Sequence, residues 1–400
     1  MNYIYRIIII LAMSKNAFCA MRATFFKPNY WLEKPRFDKK NMTTVETTYN
    51  YAKAENSFNS NGQKVPLLSY RNPEPLLPKF IDPESTNSNP ISYAVFNGKY
   101  KSQAIYGTVV QNIKESFFFE ATSCFSYDSL NNITITPTTK TGIHILYPDK
   151  KLETYLEELR SKIFNSSNNS QKRTYVGPSF FMFGYTKSFN ELDYADMIDI
   201  SVQTGIVLPV IIVDLPQSDF YLFPRQDVLN LGVPLQLNIM CGLYDWLNIG
   251  ATASVIGYLQ NDLVVPLNQE SFYNKVLIEN SDLTTVKTEP LVAFSAFVEG
   301  EYLVPHWTWY VGFSYTKQYK TVFCSCDQQE FSNNHINKYT TQYPWQQLAF
   351  TFSSEIDFSC KERKIMPRCK IVYVKRFLSQ NCFNSALFAG QLGFEVLYEF

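Results

Sequence analysis

The feature that most restricts this chain is an alternation of apolar and polar residues that persists for ten to fourteen positions at a time and recurs along its length. In residues 391–400, Leu392, Phe394, Val396, Tyr398 and Phe400 fall on one face, and Gln391, Gly393, Glu395, Leu397 and Glu399 fall on the other. Residues 347–358 set Leu348, Phe350, Phe352, Ile356 and Phe358 against Gln347, Thr351, Ser353, Glu355 and Asp357. The same division runs through 196–208, 232–243, 247–259 and 307–320. Successive strand side chains point to opposite faces, so each run is a strand with one apolar side. Ordinary strands average about five or six residues, whereas a tilted strand needs about nine to eleven to cross a bilayer. A soluble β-sandwich alternates too, but seldom with strands this long so often. In hydrocarbon every backbone group must be paired within the protein, which for strands requires a closed cylinder.

The connections point the same way. Strands are expected near 103–112, 115–127, 131–137, 174–187, 196–209, 232–243, 247–259, 290–302, 307–320, 345–358, 366–378 and 389–400. That is twelve, within a range of ten to fourteen, and single-chain bacterial barrels have even counts. Residues 244–246 and 303–306 are short connections, and 210–231, 260–289 and 321–344 are long ones. With the C-terminus on the periplasmic side, the short turns all fall there and the long loops outside, as in outer-membrane barrels. The last outer connection, 379–388, is shorter than the others. Leu152, Leu156, Leu159 and Ile163 recur at helical spacing behind Asp149, so one short helix is expected in the connection 138–173. The expected fold class is therefore all-β: a transmembrane up-and-down antiparallel β-barrel of about 12 strands with long outer loops and one short loop helix.

The first hundred residues differ in character. Arg6, the apolar run Ile7 to Met13 and the small residues around Ala17 to Ala20 have the layout of an export signal over 1–20. Residues 21–100 are polar and carry Pro28, Pro35, Pro66, Pro73, Pro75, Pro78, Pro83 and Pro90. They are read as a tether, or as a plug entering the lumen, with the barrel spanning 101–400. Acidic and basic residues balance at 36 each, so no net field draws nucleic acid. Eight cysteines are present. Removal of a signal ending at Cys19 or Ala20 leaves an odd number, which cannot all pair within one chain. Cys324 and Cys326 lie too close for a zinc knuckle, and loop disulfides or intermolecular pairing fit an oxidising compartment better. No metal or cofactor is expected.

The alternating C-terminal strand, with Phe394, Tyr398 and terminal Phe400, resembles the assembly signal of Gram-negative outer-membrane barrel proteins. The resemblance is to the class that includes porin-like and fatty-acid-transporter-like barrels, and to no one family within it. It implies residence in the bacterial outer membrane, recognition by the barrel-insertion machinery, and the lipid bilayer as surroundings.

By parity the inner face carries Glu299, Glu301, Glu355, Asp357, Arg368, Lys370, Glu395 and Glu399. Arg368 and Lys370 are expected beside Glu355 and Asp357, since adjacent strands lie about 4.8 Å apart. The set reads either as a ladder bracing the wall or as a charged constriction that contacts solutes. Glu299 and Glu301 are the better solute-contact candidates, having no basic residue on their own strand. Trp246, Tyr302, Trp307, Trp309 and Tyr398 fall near short turns and are expected to form an aromatic girdle. Only His144, His306 and His335 are available as histidines, and no nucleophile elbow or phosphate loop is present. The expected function is a porin-like channel for small solutes rather than an enzyme. The alternative is a closed barrel that binds a partner through its outer loops.

Overall fold

The computed structural model describes residues 42–68, 74–76, 92–113, 116–137, 170–192, 195–209, 211–214, 230–268, 279–304, 306–325, 344–358 and 365–397. Twelve of its strands form the barrel wall: β1 (Met42–Phe58), β2 (Ser92–Asn112), β3 (Phe117–Pro137), β4 (Ser179–Leu192), β5 (Ala195–Leu208), β6 (Gly232–Tyr244), β7 (Leu247–Tyr258), β8 (Leu291–Val304), β9 (Trp307–Gln318), β10 (Trp345–Asp357), β11 (Ile365–Gln380) and β12 (Cys382–Leu397). Each pairs antiparallel with its predecessor. β12 returns to β1 over a ladder running from Met42–Leu397 to Phe58–Cys382. The cylinder is therefore closed and leaves no free sheet edge, the arrangement that a strand-built protein needs in hydrocarbon.

The connections at one end are short, as at Asp245–Trp246 between β6 and β7. At the other end the sheet extends beyond the wall. Gln171–Val176 continues the line of β4 along β3, and Ile211–Asp214 continues β5 beside it. Asn261–Asn268, Glu279–Thr288 and Thr321–Ser325 form a separate three-stranded sheet. Lys64–Pro66 and Glu74–Leu76 pair with the upper ends of β1 and β2.

Alternation sorts the side chains as the sequence pattern requires. On β2, Ile105 and Val109 are exposed, whereas Tyr100, Ser102, Ala104, Tyr106 and Thr108 are buried. On β10, Gln347, Ala349, Thr351 and Ser353 are buried on the inside. The exposed large residues, among them Leu237, Ile239, Phe294, Phe313, Leu392 and Phe394, lie on the outer face. A charge in the middle of that belt is disfavoured by about 2–4 kcal/mol, falling to about 0–1 near the interface. Urea unfolding in phosphatidylcholine vesicles is thus expected to show a loss of that larger size for Val109→Arg. Gln103→Arg, three positions higher on the same face, should cost little.

Three expectations are corrected. Residues 42–58 and 92–100, read as tether or plug, are barrel wall: β1 and the upper part of β2. The two short strands expected at 115–127 and 131–137 are one, β3. Asn132 adopts a positive φ of 52° beside a register shift opposite Asn97 and Lys99. Asn tolerates the left-handed region, and Asn132 and Ile133 together face Gly98, so the chain makes a bulge rather than a turn. The count of twelve survives because one missed strand replaces one divided strand. Finally, β11 and β12 reach Gln380 and Cys382 and turn at Asn381, φ 51°, so 379–388 is not a loop. The export signal, the helix within 138–173 and residues Tyr398, Glu399 and Phe400 lie outside the described residues. Among the described cysteines, Cys124, Cys241, Cys324, Cys369 and Cys382 are free thiols.

Candidate functional site

The inner wall near the short-turn end carries a connected set of charges. Glu355 on β10 lies opposite Lys370 on β11, and Asp357 lies opposite Arg368. The Lys370 ammonium is 3.5 Å from Glu355 Oε2, and Arg368 Nη1 is 3.7 Å from Glu355 Oε1. The second arm of the Arg368 guanidinium donates to Glu46 Oε1 on β1. Gln391 Nε2 on β12 donates to the other Glu46 oxygen at 2.5 Å. Glu46 and Arg368 are both buried, at 2% and 9% exposure. Four adjacent strands, β10, β11, β12 and β1, are therefore tied together by side chains inside the barrel.

Arg368 reaches Glu46 only because of what stands between them. β12 separates β11 from β1, and Gly393 is its residue in register with both Arg368 and Glu46. A Cβ at Gly393 would lie 3.0 Å from Arg368 Cγ and Nε and 3.4 Å from Glu46 Cγ. A bare glycine leaves the gap through which the arginine crosses. Sequence reasoning missed Glu46 because β1 was not recognised, and it registered Gly393 only as a member of the polar face. The Pro-free stretch between Pro35 and Pro66, with Val45, Tyr49 and Tyr51 alternating against Glu46, Thr48 and Asn50, carried the signal.

Farther along the wall the inner face becomes apolar. Val372, Val374, Leu387, Ala389, Ala104, Tyr106, Cys124 and Tyr310 belong to one buried cluster, with Phe297 packed against it. The Phe297 and Tyr310 rings stack with centroids 5.0 Å apart. Toward the long-connection end, Asp128 of β3 accepts a hydrogen bond from Arg173 Nε at 2.9 Å, and both side chains are wholly buried. The Arg173 guanidinium also sits 5.0 Å above the Tyr175 ring. Neither residue of this pair was identified from the sequence.

Glu299 and Glu301 are on the inner face of β8. Their cross-strand neighbours are neutral: Asn248 and Tyr310 for Glu299, and Thr308 for Glu301. Glu395 lies on β12, and its side chain, like all of Glu399, is outside the described set. On the outer face at the short-turn end, Trp246 stacks on Tyr244 with centroids 6.0 Å apart. Trp307 donates its indole N–H to Ser354 Oγ at 2.8 Å. The Trp309 ring lies over Gly300, where a Cβ would come within 2.1 Å of the indole nitrogen. The Tyr302 side chain is outside the described set.

No family model and no curated protein matches the sequence. Solved structures do match. An outer membrane channel from Pseudomonas putida F1 aligns over 93% of this chain and 100% of its own, with a TM-score of 0.50 and 10% identity. The transport unit of the autotransporter AIDA-I from Escherichia coli aligns over 92% of this chain and 94% of its own, with a TM-score of 0.38 and 9% identity. The P. putida toluene transporter TodX aligns over 94% and 95%, with a TM-score of 0.36 and 9% identity. The fold is that of an outer-membrane β-barrel.

Proposed function

We propose that this chain resides in the bacterial outer membrane and forms a channel for small solutes. One observation carries the reading: a closed twelve-strand wall whose outside is apolar and whose inside is lined by polar and charged side chains from many strands. Polar interiors behind an apolar belt are the mark of water-containing barrels. On this reading Arg368, Lys370, Glu355, Asp357 and Glu46 brace the wall, with Glu395 and Glu399 at the same end. Glu299 and Glu301, whose register neighbours are neutral, give the lumen its preference for cations. Trp246, Trp307 and Trp309, together with Tyr302 and Tyr398, anchor the barrel at the headgroup level. Phe394, Tyr398 and Phe400 are the residues that the insertion machinery reads.

The test is single-channel recording of the refolded chain in planar bilayers. Discrete conductance steps are expected. Glu299→Gln with Glu301→Gln should lower the cation-over-anion permeability ratio by at least about twofold. A silent bilayer with correctly folded protein would overturn the channel reading. It would favour a closed barrel that binds a partner through the three-stranded sheet of 261–268, 279–288 and 321–325. Deleting residues 21–41 leaves every described strand in place. Conductance that rises on this deletion marks the segment as a plug, and unchanged conductance marks it as a tether.

A further inference from the structure

The outer face of the wall is not uniform around the point of closure. Ascending from the short turns, β1 shows Val45, Tyr49 and Tyr51 and then Lys53; β2 shows Val109 and Ile105 and then Gln103, Lys101 and Lys99. β11 shows Ile371 and Tyr373 and then Lys375. The strand pairings place these residues in two parallel rows. The lower row runs Tyr373, Phe388, Tyr51, Gln103, Tyr127 across β11, β12, β1, β2 and β3. The row above it runs Lys375, Ala386, Lys53, Lys101, Ser129 across the same strands, and then Lys172 on the extension of β4.

Four ammonium groups thus share one hydrogen-bonding row, with Lys53 and Lys101 as direct cross-strand partners. Like charges placed directly opposite one another destabilise a strand pair. Lys99 lies one step higher on β2. Among the described residues the acid beside them is Glu55, which meets Lys53 at 2.8 Å and Lys99 at 3.7 Å. On the same strands the short-turn end of the outer face is apolar, with Val45, Ile113, Phe117, Phe119, Leu392 and Phe394. The lysines therefore border the belt on the long-connection side, just above a row of tyrosines of the kind that marks the headgroup level.

We infer that this stripe docks the phosphate groups of an anionic, acylated glycolipid in the outer leaflet, with the acyl chains lying along the apolar face of β11, β12, β1 and β2. The inference rests on the membrane reading above. Charge complementarity identifies the occupant: several cations in register, with an apolar surface directly beneath. Ammonium groups at a membrane surface each strengthen binding of anionic lipid about fivefold.

The full chain in neutral detergent is titrated with a hexa-acylated glucosamine disaccharide bearing two phosphates, with the same lipid stripped of phosphate, and with inorganic phosphate as competitor. The phosphorylated lipid is expected to bind in preference, and inorganic phosphate, lacking acyl chains, should not displace it. Lys53→Gln, Lys101→Gln and Lys375→Gln together should weaken binding roughly a hundredfold. Lys187→Gln, an exposed lysine of β4 outside the stripe, should leave binding unchanged. Equal binding of the two lipids, or a triple variant that binds like the parent, overturns the assignment. Insertion into phosphatidylcholine vesicles is followed in parallel. A chain that inserts without phosphate preference removes the docking site alone, and one that stays in the aqueous phase removes the membrane reading and the docking site together.

Discussion

Gly393→Val should destabilise the barrel by about 3–5 kcal/mol, the range for breaking a buried ion pair. Valine would place its Cβ and two methyl groups where the Arg368 side chain crosses β12 to reach Glu46. The guanidinium has to withdraw, and Glu46, at 2% exposure, loses its cationic partner Arg368 while the Gln391 amide stays in place. Urea unfolding of the refolded protein gives the magnitude. A control separates this cause from general crowding. In a Glu46→Gln, Arg368→Met background there is no ion pair left to break, and most of the penalty should vanish, as a double-mutant cycle requires of coupled sites. A penalty of the same size in both backgrounds would assign the effect to backbone distortion instead.

An effect of similar size is expected at the other end of the wall. Asp128→Leu takes the buried carboxylate away from the Arg173 guanidinium, and Arg173→Met takes the guanidinium away from the Asp128 carboxylate, where both side chains are fully enclosed. Each single change should cost about 3–5 kcal/mol. The combined variant should recover most of that loss, because a buried ion pair replaced by apolar groups of similar volume is often neutral or stabilising. Unfolding midpoints of the three variants decide it. If the double variant falls as far as the sum of the singles, each partner contributes separately and the two are not coupled.

The wall was legible in the sequence wherever a bulky apolar residue stood at every second position. β10, β9 and β6 are of this kind, and their inside and outside faces follow from parity alone. β1 was harder to read. Its outer row is interrupted by Thr47 and Lys53, and its inner row of Glu46, Thr48, Asn50, Ala52 and Ala54 is small, so contrast between the faces is weak. It also sits among prolines that suggest an unstructured segment. The pairing of Glu355 with Lys370 needed only the order of neighbouring strands and could be anticipated. The pairing of Arg368 with Glu46 could not. Its partners are 322 positions apart and are brought together by closure, which joins the first strand to the last. The Asp128–Arg173 pair was hidden for another reason: Asp128 occupied a position read as a break between two strands, when it lies within one.

Closure by β1 and β12 also governs how the molecule can be made. Residues near its two extremes, such as Glu46 and Gln391, must meet across 345 positions of chain, so the final ladder is the least local contact the fold contains, and non-local pairing is slow. Until β12 arrives, β1 and β11 each present a bare row of amides and carbonyls, which hydrocarbon does not tolerate and which other chains can capture. Synthesis from the N-terminus therefore produces an adhesive intermediate at every stage but the last. A polypeptide ending before Cys382 would be an incomplete hoop, and its expected fate is aggregation or proteolysis rather than a smaller pore.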